Sequence, residues 1–398
     1  MVAVAASWGV CAFFPVGILY LHFLLMLAVL LTSGSVKARV QSLLACRLVW
    51  PLAAMLVWTV VVVLVGPWFE DTPTRIFHVV RVAVLVSIGL MLTRVEARAA
   101  LVGFVLGAVV AASIISAHRV WGLPDWRIWS SLLTSRNNFS SGNMISMAAA
   151  SGICLVASLG SKFSLRQRGI SLALAFALAL TVATHSVSRN ALLLLPVLFA
   201  ASLLWRFRSL RGRLAGLAVL LALVALMWQG APNIQSRFTG MLSDYQALKS
   251  TSNYSTSVGA RWRMYEEASQ GMLKNPVFGT GLGSWLPHWR AVWSELHQNL
   301  SPELERRNAG INNPHNDFLL AGMETGVAGM VILVWLVGSF VRAGWQQLSE
   351  VHGATLVMGL TLLVTGLLNA PFRDAALGMT LLWLLGVSVA GHKAAADE

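Results

Sequence analysis

Long apolar segments alternate with short polar loops along most of this chain. A segment of about 17 to 25 apolar residues has the length of a membrane-spanning helix. The pattern predicts about twelve such helices, at residues 2–14, 17–32, 48–67, 76–93, 98–117, 140–160, 169–185, 190–205, 213–229, 316–341, 353–369 and 375–391. The first two result from dividing the first 32 residues, which are too long for one span, at Pro15-Val16-Gly17. The predicted fold class is therefore an all-α polytopic membrane protein.

Residues 230–314 interrupt the alternation, because no stretch there is long and apolar enough to span a membrane. Aromatic residues recur in this loop at helical spacings: Trp262, Tyr265, Trp285, Trp289 and Trp293. The spacing predicts amphipathic helices at 261–274 and 285–299. Their aromatic faces suit the bilayer interface or the roof of an active site, and the two interpretations are compatible. The chain thus divides into 1–229 with nine spans, 230–314 as a helical loop, and 315–398 with three spans.

Composition supports the membrane assignment and excludes several other classes. Hydrophobic residues make up 57% of the chain and charged residues 11%, with a mean hydropathy of +0.70. A soluble protein carries roughly 25% charged residues, so a soluble enzyme, a disordered chain and a fibrous protein are set aside. The three cysteines, Cys11, Cys46 and Cys154, lie in or beside apolar runs and are interpreted as small hydrophobic residues.

The net charge of +13 has two explanations in a membrane protein, topology and binding of anionic substrates. Basic residues of short loops favour the cytoplasmic side. They fall on one predicted side: Lys37, Arg39, Arg47, Arg94, Arg98, Lys162, Arg166, Arg168, Arg206, Arg208, Arg211 and Arg213. Loop 230–314 falls on the opposite side and is predicted to be extracytoplasmic, with both termini in the cytoplasm.

Four arginines stand out on the extracytoplasmic side because topology does not explain them: Arg136, Arg189, Arg261 and Arg263. A single arginine at a helix end commonly extends to lipid headgroups, which is the alternative for each of them. Several together, flanked by Asn and Ser donors, are better explained by a diphosphate ligand, because guanidinium groups bind phosphate oxygens bidentately.

A second polar group, Asn312-Asn313-Pro314-His315-Asn316-Asp317, stands where the long loop re-enters the membrane. Asn313 or Asn316 could cap the following helix while Pro314 sets its start. Capping does not require a histidine. Near a cationic cluster an imidazole stays neutral, because positive charge disfavours its protonation. His315 is therefore the candidate general base.

Other motifs carry less chemistry. Residues 279–283, Gly-Thr-Gly-Leu-Gly, predict a tight turn between two loop helices, because no strand precedes them. Gly322 and Gly326 have a spacing that suits close helix packing. No Walker A, His-Glu-x-x-His or Cys-x-x-Cys motif occurs, so the sequence supports neither nucleotide hydrolysis nor zinc chemistry. Glu70-Asp71 is a minor candidate for a divalent metal.

The order of several motifs resembles the bacterial O-antigen ligase and O-antigen polymerase superfamily. These are Ser188-Arg189, Gly259-Ala260-Arg261, the segment Pro276 to Gly283, His315-Asn316-Asp317-Phe318-Leu319, and Glu324 to Gly329. The resemblance is strongest over residues 185–340. The length of the chain and the position of its large loop are most similar to the ligase branch.

This resemblance implies a C-type glycosyltransferase of the bacterial inner membrane, with its active site in the periplasm. Such an enzyme moves O-antigen from undecaprenyl diphosphate to a sugar hydroxyl of lipid A-core, without nucleotide, nucleic acid, cofactor or metal. It further implies that His315 is catalytic and that Arg189 and Arg261 bind the diphosphate. We add Arg136, Arg263, Asn316 and Asp374 as candidate substrate-binding residues, Arg136 and the Arg373-Asp374 loop from position and chemistry.

The predicted mechanism is an inverting attack of the acceptor hydroxyl on the anomeric carbon, with His315 taking the proton and arginines stabilising the departing diphosphate. O-antigen polymerase is the nearest alternative. A transporter of an anionic or lipid-linked solute is the alternative of a different class, although no matched pair of interrupted helices is evident in the sequence.

Overall fold

The computed structural model of this chain describes residues 1–124, 126–133, 138–158, 164–186, 188–207, 209–230, 232–296 and 310–392. Within these ranges the regular structure is helical. The helices are α1 (Val2–Cys11), α2 (Val16–Thr32), α3 (Val36–Leu44), α4 (Val49–Val65), α5 (Thr72–Leu90), α6 (Arg94–Trp121), α7 (Arg127–Leu133), α8 (Asn138–Ser158), α9 (Leu165–His185), α10 (Arg189–Arg206), α11 (Leu210–Gly230), α12 (Pro232–Thr251), α13 (Ser257–Lys274), α14 (Trp285–Leu296), α15 (Asp317–Trp345), α16 (Glu350–Leu368) and α17 (Ala376–Ala390).

The predicted all-helical membrane architecture is confirmed, but the number of twelve spans is not. Among the described residues, six helices are long and apolar enough to cross a membrane: α5, α6, α9, α10, α15 and α16. The helices α2 and α3, bent by 105°, make a seventh if they form one span. Apolar α1, α4 and α17 are shorter. At 1.5 Å per residue, α1 extends about 15 Å, half of a hydrocarbon core of about 30 Å, and the apolar pattern alone does not reveal where a helix ends.

Small residues allow the central helices to approach one another closely. A Cβ atom at Gly103 of α6 would lie 1.9 Å from the carbonyl oxygen of Ala6 in α1, and one at Gly386 of α17 would lie 2.2 Å from that of Val86 in α5. Such backbone contact is typical of packed membrane helices. Trp8 and Trp383 stack between these pairs with ring centroids 4.7 Å apart.

The connection between α13 and α14 inserts beside a break in α15. Gly326 has a φ of 76° inside that helix, a backbone conformation that favours glycine. Thr280 N donates to Met323 O at 2.7 Å, and Val327 N donates to Pro276 O at 2.8 Å. The loop thus satisfies backbone groups that the break frees, as a membrane environment requires. The tight turn predicted at 279–283 is confirmed, with positive φ at all three glycines.

The two ends of the helix bundle carry different polar residues. At one end, the guanidinium of Arg39 binds both carboxylate oxygens of Glu96, at 2.7 and 2.9 Å. The start of α10, the start of α15 and the end of α16 meet at the other, which we call the His315 end. The assignment of either end to the cytoplasm stays a prediction.

Candidate functional site

Residues 310–316 lead into α15 and hold His315 in an uncommon backbone conformation. Its φ is 55°, in the left-handed region that few residues other than glycine adopt. The side-chain oxygen of Asn313 accepts from His315 N at 2.9 Å. That of Asn316 accepts from Phe318 N and Leu319 N, each at 3.0 Å, so the capping alternative for Asn316 is confirmed. Strained residues that local bonds hold in place are concentrated at functional sites.

Two arginines from distant segments fix the chain just before His315. Both donate to the carbonyl oxygen of Asn312: Arg75 Nη2 at 2.7 Å and Arg373 Nη1. Arg75 belongs to α5, and Arg373 to the loop that joins α16 to α17. The position of the histidine therefore depends on three separate parts of the fold.

The ring of His315 has one described side-chain partner. Its Nδ1 lies 2.9 Å from Oδ1 of Asn369, the residue that follows α16. Burial lowers the pKa of His315, the bond to Asn369 raises it, and the charge of Arg261 lowers it further; the net pKa is below the ordinary histidine value. The lowered pKa favours the neutral imidazole, which is the form that accepts a proton.

Two arginines share this electrostatic environment. Burial lowers the pKa of Arg261, Tyr265 raises it, and the positive charge of Arg189 lowers it. Arg189 begins α10, whose start is capped by the Ser188 hydroxyl accepting from Ala191 N at 3.3 Å. In the described part of the chain, no carboxylate lies within ion-pair distance of Arg189 or Arg261. Their charge is available to an anionic ligand.

Arg263 is only two residues from Arg261, yet it has a different environment. Its Nη2 lies 2.6 Å from Oε1 of Glu267, and its Nη1 lies 3.5 Å from Glu266. Glu267 also contacts His288 Nε2 at 2.8 Å. Residues two apart on a helix face roughly opposite directions, so these contacts link α13 to α14. The structure does not bring Arg263 to His315.

Two predicted substrate-binding residues remain, Asp374 and Arg136. The carboxylate of Asp374 accepts from the Ser140 hydroxyl at 3.0 and 3.1 Å and from Leu377 N at 2.6 Å. Asp374 therefore links α8 to the start of α17. Arg136 lies outside the described residues.

Sequence reasoning missed several buried charges beside the site. Arg75 Nε lies 2.9 Å from Glu324 Oε1, and its Nη2 lies 3.0 Å from Asp71 Oδ2. A cavity of about 110 Å³ is bordered by Arg75, Glu324, Asp317 and Arg373 among mostly apolar residues. Arg81, also buried, and Glu324 both fall inside predicted spans. An ionisable residue inside a span is a functional candidate by default. The position of these two residues inside apolar segments was therefore a sequence signal that could have identified them.

The minor metal candidate, Glu70-Asp71, does not form a joint site. Asp71 contacts Arg75, whereas Glu70 lies 3.4 Å from Arg290. Among the residues that the structure describes, no three or more His, Cys, Asp or Glu side chains are grouped to hold a metal ion.

Comparison with known proteins bears on the segment that contains this site. Residues 174–334, less than half of the chain, match the family model described as O-Antigen ligase. The match includes Arg189, Arg261 and His315, and it confirms the superfamily resemblance. An uncharacterized protein of Haemophilus influenzae is 24% identical over 120 residues, which are 30% of this chain and 28% of that protein. The chain thus aligns with only about a quarter of that relative's length.

Proposed function

We propose, on the premise that this chain belongs to the O-antigen ligase superfamily, that it is an O-antigen ligase. Its reaction would transfer O-antigen polysaccharide from undecaprenyl diphosphate to a sugar hydroxyl of lipid A-core. The proposed enzyme is a C-type glycosyltransferase with about twelve spans in the bacterial inner membrane. The His315 end faces the periplasm, where both lipid-anchored substrates have their sugars.

The observation that carries this proposal is that the charge of Arg261 acts on His315 and that of Arg189 acts on Arg261, while neither arginine has a carboxylate partner in the described structure. His315 supplies a base, and Arg189 and Arg261 supply fixed positive charge. A glycosyl transfer from a lipid diphosphate requires both, because the acceptor loses a proton while the leaving group gains negative charge.

In the proposed step, His315 takes the proton of the acceptor hydroxyl while its oxygen attacks the anomeric carbon. The bond from that carbon to the diphosphate oxygen breaks, and its electron pair leaves with the diphosphate. Attack from the opposite face inverts the configuration. The forked guanidinium groups stabilise the leaving group in the low-dielectric site, so the proposed chemistry needs neither nucleotide nor metal.

The other candidate residues receive narrower roles in this proposal. Arg136 is proposed as a further diphosphate ligand from its sequence position alone. The contacts of Arg263, Asn316 and Asp374 favour a supporting role. Arg263 would hold α13, and with it Arg261, against α14.

The proposal is tested with purified full-length protein in proteoliposomes that contain undecaprenyl diphosphate-linked O-antigen and lipid A-core. We expect polymer joined to lipid A-core without nucleotide and in the presence of EDTA. His315→Ala should lower the rate by about 10²- to 10⁴-fold, the usual contribution of a general base. His352→Ala is the matched control, because His352 lies at the other end of α16, stacked on His392.

The products separate the alternatives. Lengthening of the lipid-linked chain, with lipid A-core left unmodified, would indicate an O-antigen polymerase. Movement of the lipid-linked sugar across the vesicle membrane, with no new glycosidic bond, would indicate a transporter. Full activity of His315→Ala would remove His315 from the mechanism.

A further inference from the structure

Asn369 connects the end of α16 to the segment that carries His315. Its backbone N donates to Thr365 O at 2.7 Å, which anchors it to the end of α16. Its side-chain oxygen lies 2.9 Å from Nδ1 of His315, which is 54 positions earlier in the chain. Asn369 belongs to none of the sequence motifs that mark the site.

A second contact determines which atom of the Asn369 amide faces His315. Oδ1 also accepts from the backbone N of Ala370 at 3.0 Å. A backbone N–H can only donate, so the amide atom beside it must be the oxygen. The reversed amide would place two donors against each other. The orientation of Asn369 is thus fixed by a bond that does not involve the histidine.

The fixed oxygen determines the tautomer of His315. An amide oxygen only accepts, so Nδ1 of the imidazole must carry the hydrogen. A neutral imidazole has one N–H, which leaves Nε2 with its lone pair. Had the amide nitrogen faced the ring, Nε2 would carry the proton and could not act as a base.

The backbone of His315 is held as firmly as its ring. Its N–H donates to Asn313, and its carbonyl oxygen accepts a long bond of 3.4 Å from the Tyr265 hydroxyl. The same hydroxyl lies 3.4 Å from Leu367 O, two residues before Asn369. Burial raises the pKa of Tyr265, so the hydroxyl remains a donor. Tyr265 therefore connects the two segments that carry the histidine and the asparagine.

We propose that Asn369 is a positioning residue that holds His315 as the Nδ1–H tautomer and so presents Nε2 to the acceptor hydroxyl. This inference rests on the proposed function for its catalytic consequence, but the tautomer itself can be tested independently. The other charged or titratable groups that bear on His315 come from three elements. Arg261 on α13 acts on the ring through its charge, with Arg189 of α10 acting in turn on Arg261, and Tyr265 on α13 donates to the His315 carbonyl oxygen. Arg75 of α5 and Arg373 of the loop after α16 hold Asn312, three residues earlier in the chain.

The kinetic test compares Asn369→Ala and Asn369→Asp in the full-length protein. Asn369→Ala should lower kcat by about 10- to 100-fold, the effect of removing an outer-shell partner that orients a metal-ligating histidine. Asn369→Asp should retain more of kcat than Asn369→Ala, because its carboxylate still accepts from Nδ1–H. KM for donor and acceptor should stay within about twofold, since Asn369 touches neither substrate in the proposed arrangement. Asn253→Asp is the matched control, because Asn253 is exposed and its side-chain oxygen accepts from Ser255 N at 2.9 Å in a local turn.

The pH dependence separates positioning from a purely structural role. The bond to Asn369 raises the pKa of His315, so Asn369→Ala should move the acidic limb of the rate profile to lower pH. A carboxylate in Asn369→Asp adds negative charge and should move the limb to higher pH. Opposite shifts support the proposal. A loss of folded protein with an unmoved limb, or wild-type kcat in Asn369→Ala, would overturn it.

A spectroscopic measurement tests the tautomer without activity. In protein labelled with ¹⁵N-histidine, the His315 signals are identified by their loss in His315→Gln. We expect the Nδ1–H pattern in the wild type and an increased Nε2–H population in Asn369→Ala. An Nε2–H pattern in the wild type would contradict the inference. Full activity of His315→Ala would instead reject the proposed catalytic role of the histidine and leave the tautomer to be decided by these spectra.

Discussion

Nε of Arg75 lies 2.9 Å from Oε1 of Glu324, although 249 positions separate the two residues in the chain. Their side chains are 3% and 4% exposed. The same guanidinium contacts Asp71 and the carbonyl oxygen of Asn312. This buried ion pair therefore joins α5 to α15 and extends to the segment that carries His315.

Replacing Arg75 with Gln should strongly destabilise the protein. Glu324 and Asp71 would remain buried without a cation, and loss of one partner from a buried pair costs roughly 3–5 kcal/mol. Arg75→Met/Glu324→Met should recover part of this loss, because it removes both charges of that pair and leaves only Asp71 without its cation. The measurement is the midpoint of thermal unfolding in detergent.

The control for this prediction is Arg290→Ala. Arg290 pairs with Glu70 at 3.4 Å, with side chains 49% and 81% exposed. Exposed pairs contribute about 0–1 kcal/mol, so the midpoint should hardly change. Equal effects of Arg75→Gln and Arg290→Ala would show that the buried pair is not a stabilising contact.

Arg261→Lys should impair turnover while the protein stays folded. Lysine keeps the positive charge but loses the planar fork that binds two phosphate oxygens. We expect kcat to fall by about 10²-fold, near the lower end of the effect of removing one transition-state donor. Initial rates with saturating donor and acceptor provide the measurement.

Arg263→Lys is the matched control in the same helix. Its partner is Glu267 at 2.6 Å, and a lysine can still contact that carboxylate. Its turnover should therefore exceed that of Arg261→Lys by at least about tenfold. The reason is that Arg261→Lys loses a bidentate contact to the diphosphate, whereas Arg263→Lys keeps a single contact to its carboxylate. Wild-type turnover in Arg261→Lys would instead support an arginine that extends to lipid headgroups.

The pH profile of kcat/KM should report the lowered pKa of His315. Because the neutral imidazole is the active form, activity should persist below pH 6.5 and fall only as pH drops through the depressed pKa. Arg261→Gln removes a charge that lowers this pKa, so its acidic limb should move to higher pH. Arg261→Lys keeps the charge and should leave the limb in place. A limb that Arg261→Gln does not move would contradict the electrostatic coupling.

The sequence predicts those features of the site that depend on local pattern. Aromatic spacing located α13 and α14 closely, and the residue types around His315 indicated a neutral histidine and a helix cap. Local pattern also explains why the number of spans is not confirmed, because apolar composition does not reveal that α1 contains 10 residues and α17 contains 15.

Contacts between distant segments could not be predicted in this way. Asn369 lies within a largely apolar stretch, and only the fold brings it to His315. Arg263 pairs with Glu267, whereas Arg261 has no carboxylate partner in the described structure. This difference likewise depends on the packing of α13 against α14 and α15. The sequence shows which residue types are present, but which of them contact each other across the chain follows only from the three-dimensional structure.

Gly326→Ala should destabilise the junction between α15 and the loop that joins α13 to α14. At a φ of 76° an alanine is strained, and its Cβ would lie 2.1 Å from Val277 O. The loop would have to move away, which would break the bonds Val327 N to Pro276 O and Thr280 N to Met323 O. Strain of this kind costs about 1–3 kcal/mol, before the lost bonds are included.

Gly338→Ala is the matched control, since a Cβ at Gly338 meets nothing within 4 Å and alanine favours a helix by about 1 kcal/mol. Thermal unfolding should therefore show a lower midpoint for Gly326→Ala and an equal or higher one for Gly338→Ala. Because α13 carries Arg261 and α15 follows His315, Gly326→Ala should also reduce transferase activity of the folded fraction. Equal midpoints for the two variants would indicate that the break at Gly326 can straighten without displacing the loop.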